Sequence, residues 1–168
     1  EIPVVLYNVP GRTGCDLLPD TVAVLSSHEN IIGLKESVAD ESRWQALYPL
    51  ASPGFSLLSG DDETFVRAMI GGAHGVISVA SNAVPATFAR ICRYVSEQNF
   101  DAALALDGQL QELYAFLGVE PNPVPIKAIM KLLGFGRGLR LPLLSLSDDY
   151  TGKADEMTDL CKTIEQSM

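Results

Sequence analysis

Ile31-Ile32-Gly33-Leu34-Lys35-Glu36 is a short apolar run that closes on two charged residues. It is too brief for an amphipathic helix and opens on two β-branched residues, so it reads as a strand buried on both faces. Similar runs lie on either side of it. Val4-Val5-Leu6-Tyr7 comes before, stopped by the turn residues Asn8-Val9-Pro10-Gly11, and Phe55–Ser59 and Gly75–Val79 follow. Helical patterns separate them. Leu17–Leu25 carries Pro19 in its first turn, Asp40–Leu50 has Asp40 as its cap, and Asp61-Asp62-Glu63 sits at the start of a helix that runs through Met69 to Gly71-Gly72. Four strand-then-helix units in succession imply a parallel sheet covered by helices.

Past residue 98 the strands stop. Phe100–Leu117, Pro125–Leu133 and Thr151–Gln166 keep helical periodicity, so residues 1–98 read as an α/β part and residues 99–168 as a helical domain. Ser81 and Asn82 precede a helix starting near Val84, where they cap it or hold an anion.

Composition narrows the function. Twelve basic against 21 acidic residues leave a net charge of −9, which argues against a nucleic-acid partner. No apolar run approaches the roughly 18–20 residues needed to span a bilayer, and no secretory signal opens the chain, so the expected location is cytoplasmic, with no membrane partner. Cys15, Cys92 and Cys161 are odd in number and widely spaced, so they predict reduced thiols, with neither a disulfide framework nor a metal site. The start at Glu1, almost directly on a strand, reads as a cut edge.

Polar residues gather where the strands end, the edge at which parallel α/β sheets bind ligands: Tyr7, Lys35, Gly60 with Asp61, and Ser78. A lysine there either extends its stem along the core to solvent or acts as a desolvated amine nucleophile. The second use needs a neutral amine, which an apolar strand wall favours. Alternation puts Ile31, Gly33 and Lys35 on one face, with Gly33 leaving space beside the lysine, and Glu36 on the other, where a structural role fits better than a catalytic one. Tyr7, on a neighbouring strand, would stand roughly 5 Å from the lysine's backbone, within range of a proton relay or simply as a core tyrosine. Arg12, in Pro10-Gly11-Arg12-Thr13-Gly14, has the planar fork that suits a carboxylate, although loop arginines are often merely solvated. His28 and His74 lie before strands, at the opposite end of the sheet from this site.

Together, Leu6 through Gly14, Ile32-Gly33-Leu34-Lys35-Glu36, Leu58-Ser59-Gly60-Asp61-Asp62, Gly72 through Ser78 and Glu120-Pro121-Asn122-Pro123 resemble the dihydrodipicolinate synthase family, also called 4-hydroxy-tetrahydrodipicolinate synthase. Five motifs occur in order and cover nearly the whole chain. The resemblance implies the C-terminal half of a (β/α)8 TIM barrel, four βα units, followed by the helical domain. It also implies a lyase of lysine and diaminopimelate biosynthesis, commonly a homo-oligomer. In that family a lysine forms a covalent imine with pyruvate, without any other cofactor, and the enamine attacks L-aspartate-4-semialdehyde. Lys35 falls on the imine-forming lysine, Tyr7 on the relay tyrosine, Arg12 on the arginine that holds a substrate carboxylate, and Gly60 and Ile77 on positions lining the pyruvate pocket. The Arg12-Thr13 pair favours the synthase over the related N-acetylneuraminate lyase-type aldolases, which share the tyrosine and lysine.

The departure from the family lies in length. A full barrel takes about 250 residues, and this chain begins at what corresponds to the fifth strand. The family's Thr-Thr and second-tyrosine relay elements, its carboxylate-binding loop and its lysine feedback site find no counterpart here. A half-barrel leaves two strand edges open, so a non-catalytic, self-associating half is the competing expectation.

Overall fold

A computed structural model describes residues 2–167; Glu1, where the sequence reads as a cut edge, lies outside them. Contacts divide the chain into two compact units, Glu1–Ser78 and Val79–Met168.

The first unit contains β1 (Val4–Asn8), α1 (Pro10–Thr13), α2 (Pro19–Leu25), β2 (Ile31–Glu36), α3 (Glu41–Leu47), β3 (Ser56–Ser59), α4 (Phe65–Gly71) and β4 (Gly75–Val76). The strands are parallel and lie in the order β1-β2-β3-β4, as successive βα units require. One face of the sheet is closed by helices: Leu34 and Leu57 pack with Val22 of α2, Trp44 and Leu47 of α3, and Ala68 of α4. Fully burying a leucine of this kind contributes about 1.5–3 kcal/mol. The helix entries follow local chemistry. Pro19 occupies the first turn of α2, and the Asp40 carboxylate accepts from the Arg43 amide at 2.8 Å, capping α3. Gly72, at φ +128°, stops α4 in a conformation that disfavours a side chain.

Three local expectations change. The acidic run Asp61-Asp62-Glu63 precedes α4 instead of opening it: the helix begins at Phe65, and Asp61 is tied into a turn by the Thr64 hydroxyl at 2.6 Å. The fourth strand is shorter than Gly75–Val79, because the backbone turns helical at Val79 and a 3-10 turn follows at Ala80–Asn82. Ile31 does not share the face of Lys35. The β1–β2 register slips between Val4 and Val5, so Ile31 packs into the helix-side core while Ile32 is exposed.

The second unit is helical: α5 (Pro85–Ser96), α6 (Phe100–Asp107), α7 (Gln111–Leu117), α8 (Val124–Leu132) and α9 (Thr151–Gln166). Its core includes Phe88, Ile91, Leu110, Leu113, Phe116, Ile129 and Met157. Helix α5 packs here, although in repeat order it closes the fourth βα unit; the boundary at residue 98 follows the repeat, and the contacts divide the chain earlier. Val84, not Ser81 or Asn82, stands at the N-cap of α5. Asn82 bonds back to the Val79 carbonyl at 2.9 Å. The Glu165 carboxylate of α9 instead takes the amides of Ala86 and Thr87, at 3.0 and 2.8 Å, and the Thr87 hydroxyl at 2.6 Å. An acid brought in by the tertiary fold thus satisfies the orphan donors of that helix start.

Candidate active site

The parallel ladder decides which side chains meet. Tyr7 is the register partner of Lys35, Lys35 of Leu58, and Leu58 of Gly75, so these four form a row across all four strands. The next row is fixed by amides beyond the strand ends: Ser37 donates to Asn8 O at 3.1 Å, Gly60 to Glu36 O at 2.7 Å, and Ile77 to Ser59 O at 2.8 Å. In that register Ser37, Gly60 and Ile77 stand side by side on the lysine's face, at the C-terminal edge of the sheet. Four of the five expected site residues, Tyr7, Lys35, Gly60 and Ile77, therefore share one surface.

That surface is open. Tyr7 is 50% and Ile77 47% exposed, and Lys35 is partly buried between them. The Lys35 Nζ stands 4.3 Å from the centroid of the Tyr7 ring, a contact that an ammonium makes favourably with a π face. Gly60 is where it is for want of space. A Cβ there would lie 2.1 Å from Ser37 Oγ and 2.6 Å from Lys35 Cε, so a side chain at this position would push both of them aside. Gly33 does a different job from the one expected: its missing Cβ accommodates the Ser56 carbonyl of the adjacent strand, at 2.5 Å, and not the lysine.

Arg12 is exposed on α1, the single helical turn after β1. Gly14 closes that turn at φ +66°, with its amide on Pro10 O at 2.9 Å, and the Thr13 hydroxyl donates to Cys15 O at 2.8 Å. The turn places Arg12 just past the C-terminal end of β1, the edge at which the lysine row ends. Thr13 is occupied in holding the turn.

Behind the site, on the helix-covered face, lies a charged network that the sequence reading did not find. Glu36 is fully buried and accepts from Asn8 Nδ2 at 3.0 and 3.1 Å, from the Val38 amide at 2.7 Å and from Arg43 Nε at 2.7 Å. Arg43, its side chain 9% exposed, also reaches Asp16 at 3.0 Å and the Leu17 carbonyl. Asn8 closes the circuit by donating to Asp16 at 3.0 Å and accepting from the Leu17 amide at 2.9 Å. Burial works against the charge on Arg43 most strongly, yet its bonds to Glu36 and Asp16 outweigh it and raise its pKa. The hydrogen bond from Asn8, followed by that from Arg43, holds the Asp16 carboxyl below the usual carboxylate range against desolvation. The network ties together the ends of β1 and β2 and the start of α3, which fixes Tyr7 and Lys35 from behind. One signal for it was legible: a glutamate alternating with a strand-end lysine has to point into the core, and a buried carboxylate needs a cationic partner. Among the described residues, no group of three or more His, Cys, Asp or Glu is placed to hold a metal ion.

A parallel βα sheet with a lysine and a tyrosine facing each other at its C-terminal edge places the chain among the α/β proteins. Within that class the chain belongs to the dihydrodipicolinate synthetase family, whose sequence model matches residues 1–161. It is 51% identical over 156 residues to a 4-hydroxy-tetrahydrodipicolinate synthase of Stenotrophomonas maltophilia (strain K279a), covering 93% of this chain and 52% of that protein. A protein of the same name from Xanthomonas axonopodis pv. citri (strain 306) is 53% identical over the same shares. Among solved structures, dihydrodipicolinate synthase from Acinetobacter baumannii complexed with pyruvate superposes with a TM-score of 0.90 at 35% identity, over 96% of this chain and 56% of that one. The chain spans about half the length of the curated relatives it matches.

Proposed function

We propose that this chain carries the imine-forming half of a 4-hydroxy-tetrahydrodipicolinate synthase, a class I, Schiff-base lyase of lysine and diaminopimelate biosynthesis. In this reading residues 1–98 are four βα units of a (β/α)8 barrel, residues 99–168 are its helical domain, and the whole protein is a cytoplasmic homo-oligomer. The observation that carries the proposal is the pairing of Tyr7 with Lys35 across adjacent parallel strands, the ammonium nitrogen 4.3 Å from the ring centroid.

The Lys35 amine adds to the C2 carbonyl of pyruvate, water leaves, and the imine takes the place of a separate cofactor. Loss of a C3 proton gives the enamine, whose C3 attacks the aldehyde carbon of L-aspartate-4-semialdehyde, and the product cyclises. Tyr7 moves protons at the lysine nitrogen and the departing oxygen. Arg12 receives the carboxylate of the incoming semialdehyde. Gly60 leaves the passage for the lysine stem, and Ile77 forms an apolar wall beside it. The Arg12-Thr13 pair favours this chemistry over that of an N-acetylneuraminate lyase-type aldolase.

The open lysine face supports a second reading. With Val5, Tyr7 and Ile77 exposed and the outer edges of β1 and β4 unpaired among the described residues, the alternative is a non-catalytic, self-associating half. Condensation of pyruvate with L-aspartate-4-semialdehyde, assayed on the purified chain, separates the two. Turnover that disappears in Lys35→Met supports the synthase. A chain that self-associates and gives no turnover supports the structural half.

A further inference from the structure

Ser37 holds the one buried side-chain oxygen or nitrogen among the described residues that has no hydrogen-bond partner. Its place is specific. It lies two residues beyond Lys35 on the same face, its amide pinned to Asn8 O at 3.1 Å, and it stands opposite Gly60. The point where a Gly60 Cβ would be is 2.1 Å from Ser37 Oγ and 2.6 Å from Lys35 Cε, so the hydroxyl and the last carbon of the lysine are separated by no more than the sum of those distances. Buried hydroxyls normally find partners. This one faces the end of a lysine whose terminal group changes when it reacts.

We infer that Ser37 is a positioning residue for the adduct on Lys35, its Oγ accepting the N–H of the protonated imine; the inference rests on the imine reading above. In the free protein the ammonium has three N–H donors and lies over the Tyr7 ring. During capture the neutral amine forms its bond to C2 of the 2-oxo acid, and one nitrogen proton passes to the carbonyl oxygen. A further proton, from Tyr7 or water, makes that oxygen a leaving water; the C–O bond breaks as C=N forms. The iminium nitrogen keeps a single N–H, which can no longer be shared among several acceptors and has to aim at one. Ser37 Oγ lies near the Cε that carries the nitrogen, so a turn about the last bonds of the lysine brings that N–H toward it. A hydroxyl oxygen facing a cationic N–H makes a charge-assisted bond that the free amine state lacks. Ser37 thereby selects the captured state and sets the plane of the imine, which governs which C3 hydrogen is aligned for removal. Glycine at position 60 serves this arrangement too, since a larger side chain would displace both groups.

The test is trapping with pyruvate and borohydride on the full chain, read by intact mass over a range of pyruvate concentrations, for wild type, Ser37→Ala and Ser37→Thr, with thermal melts alongside. The expected result is a half-saturating pyruvate concentration raised roughly tenfold in Ser37→Ala and restored in Ser37→Thr. The melting midpoint of Ser37→Ala is expected to be no lower than wild type, because a hydroxyl without a partner contributes nothing to the folded state. Equal half-saturation in wild type and Ser37→Ala overturns the role of Ser37 and leaves the imine reading standing. So does a Ser37→Ala chain that melts lower or fails to fold, which makes the hydroxyl structural, or a Ser37→Thr chain no better than Ser37→Ala. Wild type that takes up no adduct overturns the imine reading itself, and Ser37 with it.

Discussion

Lys35 and Glu36 are consecutive residues of one strand, both charged, and they meet opposite environments. Glu36 points to the helix-covered face, is fully buried and has every approach filled by Asn8, Val38 and Arg43. Lys35 points to the open face, where it meets an aromatic ring, the passage left by Gly60 and an unpartnered hydroxyl. Strand alternation produces this contrast with no further device. It separates a residue held on every side from one left accessible on the open face, and so the two faces should answer differently to substitution.

The largest expected effect is on the open face. Lys35→Met should abolish borohydride-trapped adduct entirely and leave the melting midpoint close to wild type; adduct persisting in this variant would place the imine elsewhere. On the closed face, Arg43→Met strands the Glu36 carboxylate in the core, and urea unfolding should report a loss of about 3–5 kcal/mol. A loss below about 1 kcal/mol would mean that the network is not what fixes the strand ends. Tyr7→Phe keeps the ring beside the lysine and removes the phenol. Exchange of the pyruvate C3 protons in heavy water should slow by roughly a hundredfold or more with little change in stability, and an unchanged rate would remove Tyr7 from the proton relay.

The smallest effect concerns acid. The Asp40 carboxyl lies below its usual 3.8, through the hydrogen bond from the Ser42 hydroxyl first and then from the Arg43 amide, and Asp16 is lowered by Asn8 and Arg43. A group whose pKa is lower in the folded than in the unfolded state contributes stability above its unfolded value and loses it as pH falls through the folded one. Melting midpoints should therefore fall as pH drops below about 3.8. Asp40→Asn should flatten that fall, and an unchanged pH profile would count against the cap.

Much of this was legible in the order of residues. The β2 run matches Ile31–Glu36 to the residue, because four apolar residues closed by two charged ones leave little choice, and α9 likewise spans Thr151–Gln166. The lysine row was legible through strand alternation and the family motifs. What escaped depended on contacts distant in sequence. The bulge that turns Ile31 into the core arises from pairing with β1, and the capping of α5 by Glu165 comes from a helix almost eighty residues away. Asn8, Asp16 and Arg43 are ordinary polar residues until the fold gathers them around Glu36. Ser37 is just another serine until Gly60 is placed opposite it.

The central claim is that Lys35 is the amine that captures the 2-oxo acid. It is tested most directly by incubating the chain with pyruvate, reducing with borohydride, digesting and locating the modified peptide by mass spectrometry. A single reduced pyruvyl group is expected on Lys35, within the peptide that carries Ile31-Ile32-Gly33-Leu34. An adduct on another lysine, such as Lys127 or Lys131, with Lys35 unmodified, would contradict it.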